Sequence, residues 1–482
     1  MTTSTLCCPT VSGSEQWTDH PACVTPHGVV SYAEFGQRVS RLCRALRRRG
    51  VGNGSRVGLM LAPGPDALAL YFALPRIGAC ACPISARLPA SQAARQLTRI
   101  GADCVIVDES ALCDVPAMTV GELVADARPA GDSEGGAEIS WEQAATIVHT
   151  SGSTGELKAI VHSCRAHYYS AKGANENLPI GPGTRWMLSL PLYHVGGIGI
   201  LWRCILAGGA VVVPARQESL AEAMARYAVT HLSLVGTQLY RLLQDDPESL
   251  GPLEAVLVGG GPVPSELVQR AVERGINVLP TYGLTEMSSQ VATLGPDDSI
   301  HRLDTAGRVL RYRKVRISDD GEILVKGETL YSGVATADGL DAPALDSDGW
   351  YATGDLGRIN DEGYLTVLGR RDNMFISGGE NIQPETIEAA LLALRGVLGA
   401  TVVPVPDEEF GRRAVAFVER DAGVDPASLT RELEKTLPRF MIPVAFYPYP
   451  PRDVAAVKIS RDKLGQIALA LSEAPRTFRN SC

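Results

Sequence analysis

Ala144-Ala-Thr-Ile-Val-His-Thr-Ser-Gly-Ser-Thr-Gly-Glu-Leu-Lys158 is the stretch on which the reading of this chain turns. Its first half, the apolar run Ala144–Val148, reads as a strand. Its second half interleaves hydroxyls with glycines and ends on a lysine. Thr150, Ser151, Ser153 and Thr154 offer donors, Gly152 and Gly155 let backbone N–H groups approach an anion, and Lys158 neutralises charge. That combination suits a polyphosphate. It is not a Walker A loop, because two residues separate Gly152 from Gly155 and Lys158 lies three further on. A plain loop has the same composition; the preceding strand and the lysine favour the phosphate reading.

On either side, helical and strand-like patterns alternate. Tyr32–Arg49 and Pro65–Ile77 read as helices around a strand at Arg56–Leu61. Ser219–Ala228 and Gln238–Gln244 read as helices interleaved with strands at Leu232–Val235 and Ala255–Val258. Such alternation predicts an α/β protein with mostly parallel sheets covered by helices. Beyond about residue 305 the texture changes. Val309–Ile317, Glu322–Lys326 and Tyr364–Leu368 are short strand candidates, set off by Asp320-Gly321 and Glu362-Gly363 turns, which predicts a small antiparallel β subdomain. Past Gly369-Arg370-Arg371-Asp372 the α/β pattern returns, with helices expected over Pro384–Leu394 and Leu429–Leu437 and strands over Thr401–Pro404 and Ala414–Glu419. Two domains are therefore expected, residues 1–371 and 372–482, the second large enough for its own core.

The 482 residues allow two to four folding units, and 45% apolar with 21% charged positions excludes a disordered chain. A net charge of −9 argues against a general nucleic-acid binder, though not against one polyphosphate in a local pocket. The eleven cysteines lack zinc-clamp or Cys-x-x-Cys spacing and read as reduced thiols. The first residues lack a basic and an apolar region, so no secretory signal is expected. Val195–Val213 is apolar, but five glycines and Arg203 argue against a membrane helix. A cytoplasmic protein without membrane insertion is expected, with homo-oligomerisation left open.

Four further segments carry candidate chemistry. Thr281-Tyr-Gly-Leu-Thr-Glu286 follows a short apolar run, and its carboxylate beside hydroxyls suits Mg²⁺ or simply a helix start. Gly259-Gly260-Gly261 lets something flat approach backbone, or is only a turn. Tyr351-Ala-Thr-Gly-Asp355 ends in an aspartate able to accept a ribose diol, although Thr-Gly-Asp is also a common turn. Lys458, between apolar neighbours, could point inward or be solvated.

Thr150–Lys158, Tyr282–Glu286, Tyr351–Asp355, Gly369–Asp372, Gly378–Pro384 and Lys458, taken in order, resemble the adenylate-forming superfamily of acyl-CoA synthetases, carrier-protein adenylation domains and luciferases. The resemblance spans about residues 25 to 465. Leu188–Gly197, Leu201-Trp-Arg-Cys204, Gly236–Leu243, Phe375–Pro384 and Ile459-Ser460-Arg461 are similar to one branch, the o-succinylbenzoate–CoA ligases of menaquinone biosynthesis. The resemblance implies a large N-terminal domain and a small mobile α+β C-terminal domain. It implies ATP and coenzyme A as co-substrates, Mg²⁺ as cofactor, and a small carboxylic acid activated as an acyl-adenylate before transfer to the thiol.

By the same resemblance Thr150, Ser151, Gly152, Ser153, Thr154, Gly155 and Lys158 hold the β- and γ-phosphates. Glu286 ligates Mg²⁺ and Thr285 meets the α-phosphate. Gly259, Gly260, Gly261, Thr281, Tyr282 and Gly283 frame the adenine, and Asp355 with Arg370 bind the ribose. Lys458 spans the carboxylate and α-phosphate, Asp372 is the hinge, and Gly378 and Gly379 line a pantetheine tunnel. His194 gates the acyl pocket, with Arg203, Thr237 and Arg241 as acyl-substrate residues. Both arginines lie in apolar helical segments, where an unpaired charge is costly, and a structural ion pair is the alternative.

Two positions depart from the family pattern. Leu157 stands where many relatives have proline, and Val457 precedes Lys458 where glycine is usual, so Lys463 is the fallback. Alternative readings are a CoA ligase for another aryl or medium-chain acid, a stand-alone carrier-protein-loading enzyme, and a non-catalytic nucleotide binder.

Overall fold

A computed structural model of the chain describes residues 4–109, 115–126, 138–151, 157–261, 263, 265–298, 302–378, 380–407, 410–421, 423–450 and 460–473. Two large sheets carry the expected alternation. In one, Pro21–Thr25, Ala210–Val212, Arg185–Met187, His231–Leu234 and Ala255–Val258 run parallel. Val278–Leu284 continues that sheet in parallel, and Ser289–Thr293 turns back antiparallel to it. In the other, Cys104–Val107, Arg56–Met60, Cys80–Pro83 and Ala144–Ser151 are parallel, and Leu157–Ser163 returns antiparallel to the last.

The main core lies between these sheets. It joins Val57, Leu59 and Ala81 of one to Val211, Ala255 and Leu257 of the other through helices Tyr32–Arg48, Pro65–Arg76 and Val195–Ala207. Ala67 to Pro75 are all buried, as expected of a helix enclosed on every side. The apolar stretch at Val195 is a second such helix, with Gly197 to Ile205 buried. Among the described residues no helix is long and apolar enough to cross a membrane.

Arg313–Ile317, Glu322–Gly327, Tyr351–Ile359 and Leu365–Arg370 form a four-stranded antiparallel sheet, the expected β subdomain. Further along, Val397–Asp407 and Gly411–Arg420 pair as a long hairpin, with Phe446–Pro448 alongside. Alternation along this hairpin separates two faces. Val402, Ala414, Ala416 and Val418 meet helices Pro384–Leu392 and Pro426–Leu433, whereas Val403, Val405, Val415 and Phe417 meet Leu464 and Ala468 of helix Arg461–Glu473. Both of these cores draw only on residues from Phe375 onward.

Several boundaries differ from expectation. Val309–Ile317 is two strands, because Tyr312 takes a left-handed φ of 70° that breaks the extended chain. The Leu429 helix starts earlier, at Pro426, since Asp425 caps the Ser428 N–H and proline suits a first turn. Tyr351–Asp355 is not a turn but part of a strand, in which Gly354 alone takes a positive φ of 74°.

Candidate active site

The described residues on either side of the phosphate segment pair as antiparallel strands. Thr150 opposes Lys158 and Ser151 opposes Leu157, so pairing reaches both sides of residues 152–156. Cross-strand apolar pairs Val148–Ile160 and Ile147–Val161 extend the strands that far. Lys158 is exposed and Thr150 half-buried, while Gly152, Ser153, Thr154 and Gly155 lie outside the described residues, as does the Ser151 side chain.

Thr281, Tyr282 and Gly283 end the strand Val278–Leu284, and Thr285 and Glu286 lie in the single 3₁₀ turn Thr285–Met287. Close backbone approach explains two glycines here. A Cβ on Gly259 would meet Thr281 Cγ2 at 2.6 Å, and one on Gly283 would meet the Ser289 carbonyl at 2.2 Å. Gly260 turns the chain with a φ of 80°, and Gly261 beside it is exposed. The Thr281 hydroxyl is held by the Ala292 carbonyl at 2.9 Å.

The Glu286 carboxylate accepts a hydrogen bond from the Tyr351 hydroxyl at 3.2 Å. Burial, helped by the Glu286 charge, pushes the Tyr351 phenol pKa above its ordinary value. Among the described residues Oε2 of Glu286 receives no hydrogen bond, and no cluster of three or more metal-ligating side chains occurs. A half-buried carboxylate with one undonated oxygen fits Mg²⁺, which is commonly held by one or two carboxylates plus substrate phosphate oxygens. Glu286 is the residue that would hold it, and the ion would neutralise phosphate charge.

Asp355 and Arg370 are cross-strand partners, with a guanidinium nitrogen 3.0 Å from Oδ1. The Tyr282 hydroxyl donates to Oδ2 at 2.6 Å. Burial and the Asp355 charge raise the Tyr282 pKa well above its usual value. Burial lowers the Arg370 pKa, but Asp355 and Asp372 outweigh it and the net shift is upward. The adenine strand and the ribose strand are thus tied through one carboxylate, which retains lone pairs for a diol.

The two candidate acyl-site arginines separate sharply. Arg203 is buried, its guanidinium 5.3 Å from the Trp186 ring centre and 3.3 Å from Ser289 Oγ. Among the described residues its Nε has no partner, and burial lowers its pKa to about 10. The neighbouring Arg313 is buried too, but donates to the carbonyls of Gln290 (2.6 Å), Arg311 (2.9 Å) and Ser170 (3.0 Å). The apolar setting expected for Arg241 is absent. Its side chain is 59% exposed and faces Glu419 at 3.8 Å, because it lies opposite the buried Leu239, Leu242 and Leu243 on its helix. Thr237 is exposed on the first turn of that helix. His194 is the residue preceding helix Val195–Ala207; part of its surface is open to solvent, its ring lies tilted against Tyr193 with centres 4.7 Å apart, and partial desolvation lowers its pKa.

Asp372 sits in the turn Arg371–Asn373, 3.4 Å from Arg370. Gly378 takes a φ of 58°, and a Cβ there would meet Phe410 at 2.7 Å. Gly379 and Lys458 lie outside the described residues. Lys463 is exposed on helix Arg461–Glu473, and at the start of that helix Arg461 pairs with Glu388 at 2.6 Å. Sequence reasoning missed Tyr351, Arg313 and the buried pair His162 and His167. Only the position of Tyr351 at the head of a singled-out motif hinted at any of them.

Three buried histidines make stability pH-dependent. Burial lowers the pKa of His162 and His231 from 6.5 to about 4, and that of His167 well below 6.5. In the unfolded chain each imidazole binds its proton near 6.5. The unfolded state therefore holds more protons between about pH 6.5 and pH 4, and folding stability, full above that window, falls as pH drops through it. Thermal midpoints measured from about pH 7.5 downward are expected to decline across this window, with a shallower slope in His231→Gln.

Residues 12–340 match the AMP-binding enzyme family, and residues 386–458 match the AMP-binding enzyme C-terminal domain. The chain belongs to the AMP-binding enzyme family. It is 36% identical to the 2-succinylbenzoate–CoA ligase of Salmonella typhimurium (strain LT2), over 91% of this chain and 92% of that enzyme. Among solved structures it resembles the o-succinylbenzoate CoA synthetase (MenE) of Bacillus subtilis in complex with the acyl-adenylate OSB-AMP. The TM-score is 0.87 at 28% identity, covering 95% of this chain and 98% of that one. The same synthetase with ATP and magnesium ion gives a TM-score of 0.85 at 28% identity, covering 95% and 99%.

Proposed function

We propose that this chain is an AMP-forming acid–thiol ligase that converts 2-succinylbenzoate, ATP and coenzyme A into the acyl-CoA, AMP and pyrophosphate, a step of menaquinone biosynthesis. A carboxylate oxygen of the acid attacks the α-phosphorus, and the α–β anhydride bond breaks as pyrophosphate departs. The coenzyme A thiolate then attacks the acyl carbonyl carbon, and AMP leaves with the bonding electrons. Negative charge gathers on the phosphates in the first step, so fixed cations and donors lower that barrier.

In this reading Lys158 and the hairpin hydroxyls face the β- and γ-phosphates, and Lys458 bridges the carboxylate and the α-phosphate. Thr285 and Glu286 serve the α-phosphate and Mg²⁺, Gly259–Gly261 and Thr281–Gly283 the adenine, and Asp355 and Arg370 the ribose. Residues 1–371 bind ATP and acid. Residues 372–482 turn about Asp372 between the half-reactions, bringing Gly378 and Gly379 to the pantetheine arm. We place the enzyme in the cytoplasm, in keeping with the nine described cysteines, all free thiols.

The observation that carries the choice of substrate is Arg203. Two guanidiniums lie buried near each other without a carboxylate partner among the described residues, and the Arg313 pKa is lowered by burial first and by the Arg203 charge second. Arg313 spends its donors on carbonyls, whereas Arg203 keeps an unpartnered Nε. An acid with a second, aromatic carboxylate supplies the missing anion, and Arg203 at mid-helix with His194 at its mouth delimits the pocket. The test is acid-dependent pyrophosphate release across a panel of acids. Turnover should require both carboxylates of 2-succinylbenzoate. Equal or better turnover of benzoate or a medium-chain acid would overturn the substrate reading.

A further inference from the structure

The turn that carries Glu286 is strained and held from behind. Ser288 and Ser289, the two residues that follow it, take φ values of 54° and 117°, which non-glycine residues rarely adopt. Such a backbone persists only where its surroundings impose it. Two side chains one helical turn apart on helix Cys164–Asn177 take part in doing so. The Ser170 hydroxyl donates to the Ser288 carbonyl at 2.8 Å. His167 reaches the other end of the turn through a relay.

The order of that relay follows from its last acceptor. His162 Nε2 lies 2.7 Å from the Thr285 carbonyl, which can only accept, so Nε2 carries the proton. In the neutral ring Nδ1 then accepts, and it does so from the Thr146 hydroxyl at 3.2 Å. The Thr146 oxygen in turn accepts from His167 Nε2 at 2.8 Å. His167 is fixed by stacking on Trp202, with ring centres 5.5 Å apart. All three relay side chains are buried.

His162 also lies four residues after Lys158 on the strand Leu157–Ser163, and the two side chains therefore leave the same face of that strand. The strand expected to present the lysine to the phosphates is thereby bonded to the turn expected to present Glu286 to the ion.

We infer that His162 is a positioning residue for adenylation: through the Thr146–His167 relay it locks the Thr285–Glu286 turn to the Lys158 strand. It touches no substrate. Its effect falls on the half-reaction that needs phosphate and Mg²⁺ aligned and spares the one in which coenzyme A attacks an acyl-adenylate already made. The inference rests on the proposed adenylation chemistry but not on the identity of the acid.

The test compares His162→Leu, His162→Gln and Thr146→Val in the full chain, using the acid that the wild type accepts in the panel. His162→Leu should slow acid-dependent ATP–pyrophosphate exchange by roughly 10- to 100-fold, the scale seen when an outer-shell hydrogen bond to a metal ligand is lost. The Mg²⁺ concentration for half-maximal exchange should rise several-fold, while conversion of pre-formed acyl-adenylate to thioester stays within about two-fold of wild type. His162→Gln, whose amide can still donate to the Thr285 carbonyl, should recover most of the exchange. If His162→Leu does not fold, Thr146→Val, which leaves the His162 donor in place but frees its orientation, should show the same selectivity in milder form. An equal fall of both half-reactions, or an unchanged Mg²⁺ requirement, would overturn the assignment. Absence of exchange by the wild type with every acid would instead defeat the adenylation reading on which it stands.

Discussion

Glu286→Gln should abolish most acid-dependent ATP–pyrophosphate exchange, by on the order of 100-fold or more, the scale of removing one preorganised electrostatic group. Glutamine matches the carboxylate in shape and can still accept from the Tyr351 hydroxyl, so the turn itself should survive. What disappears is the negative charge, and with it the capacity of Oε2 to hold a hard cation. The variant should melt within a few degrees of wild type and need far more Mg²⁺ for the exchange that remains. The Tyr351 phenol, whose pKa is raised in part by the Glu286 charge, should titrate lower. Exchange near the wild-type rate at ordinary Mg²⁺ would remove Glu286 from the reaction.

Arg203→Leu should raise KM for the dicarboxylic acid by about 100-fold, since a buried hydrogen-bonded charge pair broken on one side costs several kcal/mol. KM for ATP should hardly move. Folding is not the obstacle, because exchanging a buried unpaired charge for an apolar side chain of lower desolvation cost is neutral or stabilising. Arg203→Lys should fall between, as an ammonium lacks the planar fork that matches a carboxylate. The same change at Arg241 should leave both constants near wild type, because that guanidinium is exposed and opposes Glu419. If Arg203→Leu keeps its affinity for the acid, the second carboxylate is recognised elsewhere.

The contrast between those arginines shows what the linear chain reveals. Both lie in apolar helical segments, and burial was expected of both. In Gly236–Asp245 a 3.6-residue period puts Leu239, Leu242 and Leu243 inside and Arg241 outside, information already present in the spacing. Helix Val195–Ala207 has no polar face, so period says nothing and only its burial between two sheets places Arg203. The α/β alternation and the antiparallel subdomain were legible because apolar runs and Asp-Gly turns are local signals. Motif residues such as Glu286, Asp355 and Arg370 were legible as residue types in a family order. The links among them were not. Tyr282 meets Asp355 across 73 positions, and His162 meets the Thr285 carbonyl across 123. Such bonds follow from sheet order and turn geometry, which no short window contains.

The register of the phosphate hairpin sets limits on how this chain can change length. Thr150 and Lys158 are paired directly, and Lys158 and His162 share one face of the returning strand. A single residue gained or lost between Lys158 and His162 would send one of them to the opposite side of the sheet, because successive side chains alternate. A residue gained or lost among 152–156 leaves Lys158 and His162 on the same face of their strand. Insertions and deletions in descendants of this gene should therefore collect between the paired ends and be purged from the three residues that separate Lys158 from His162.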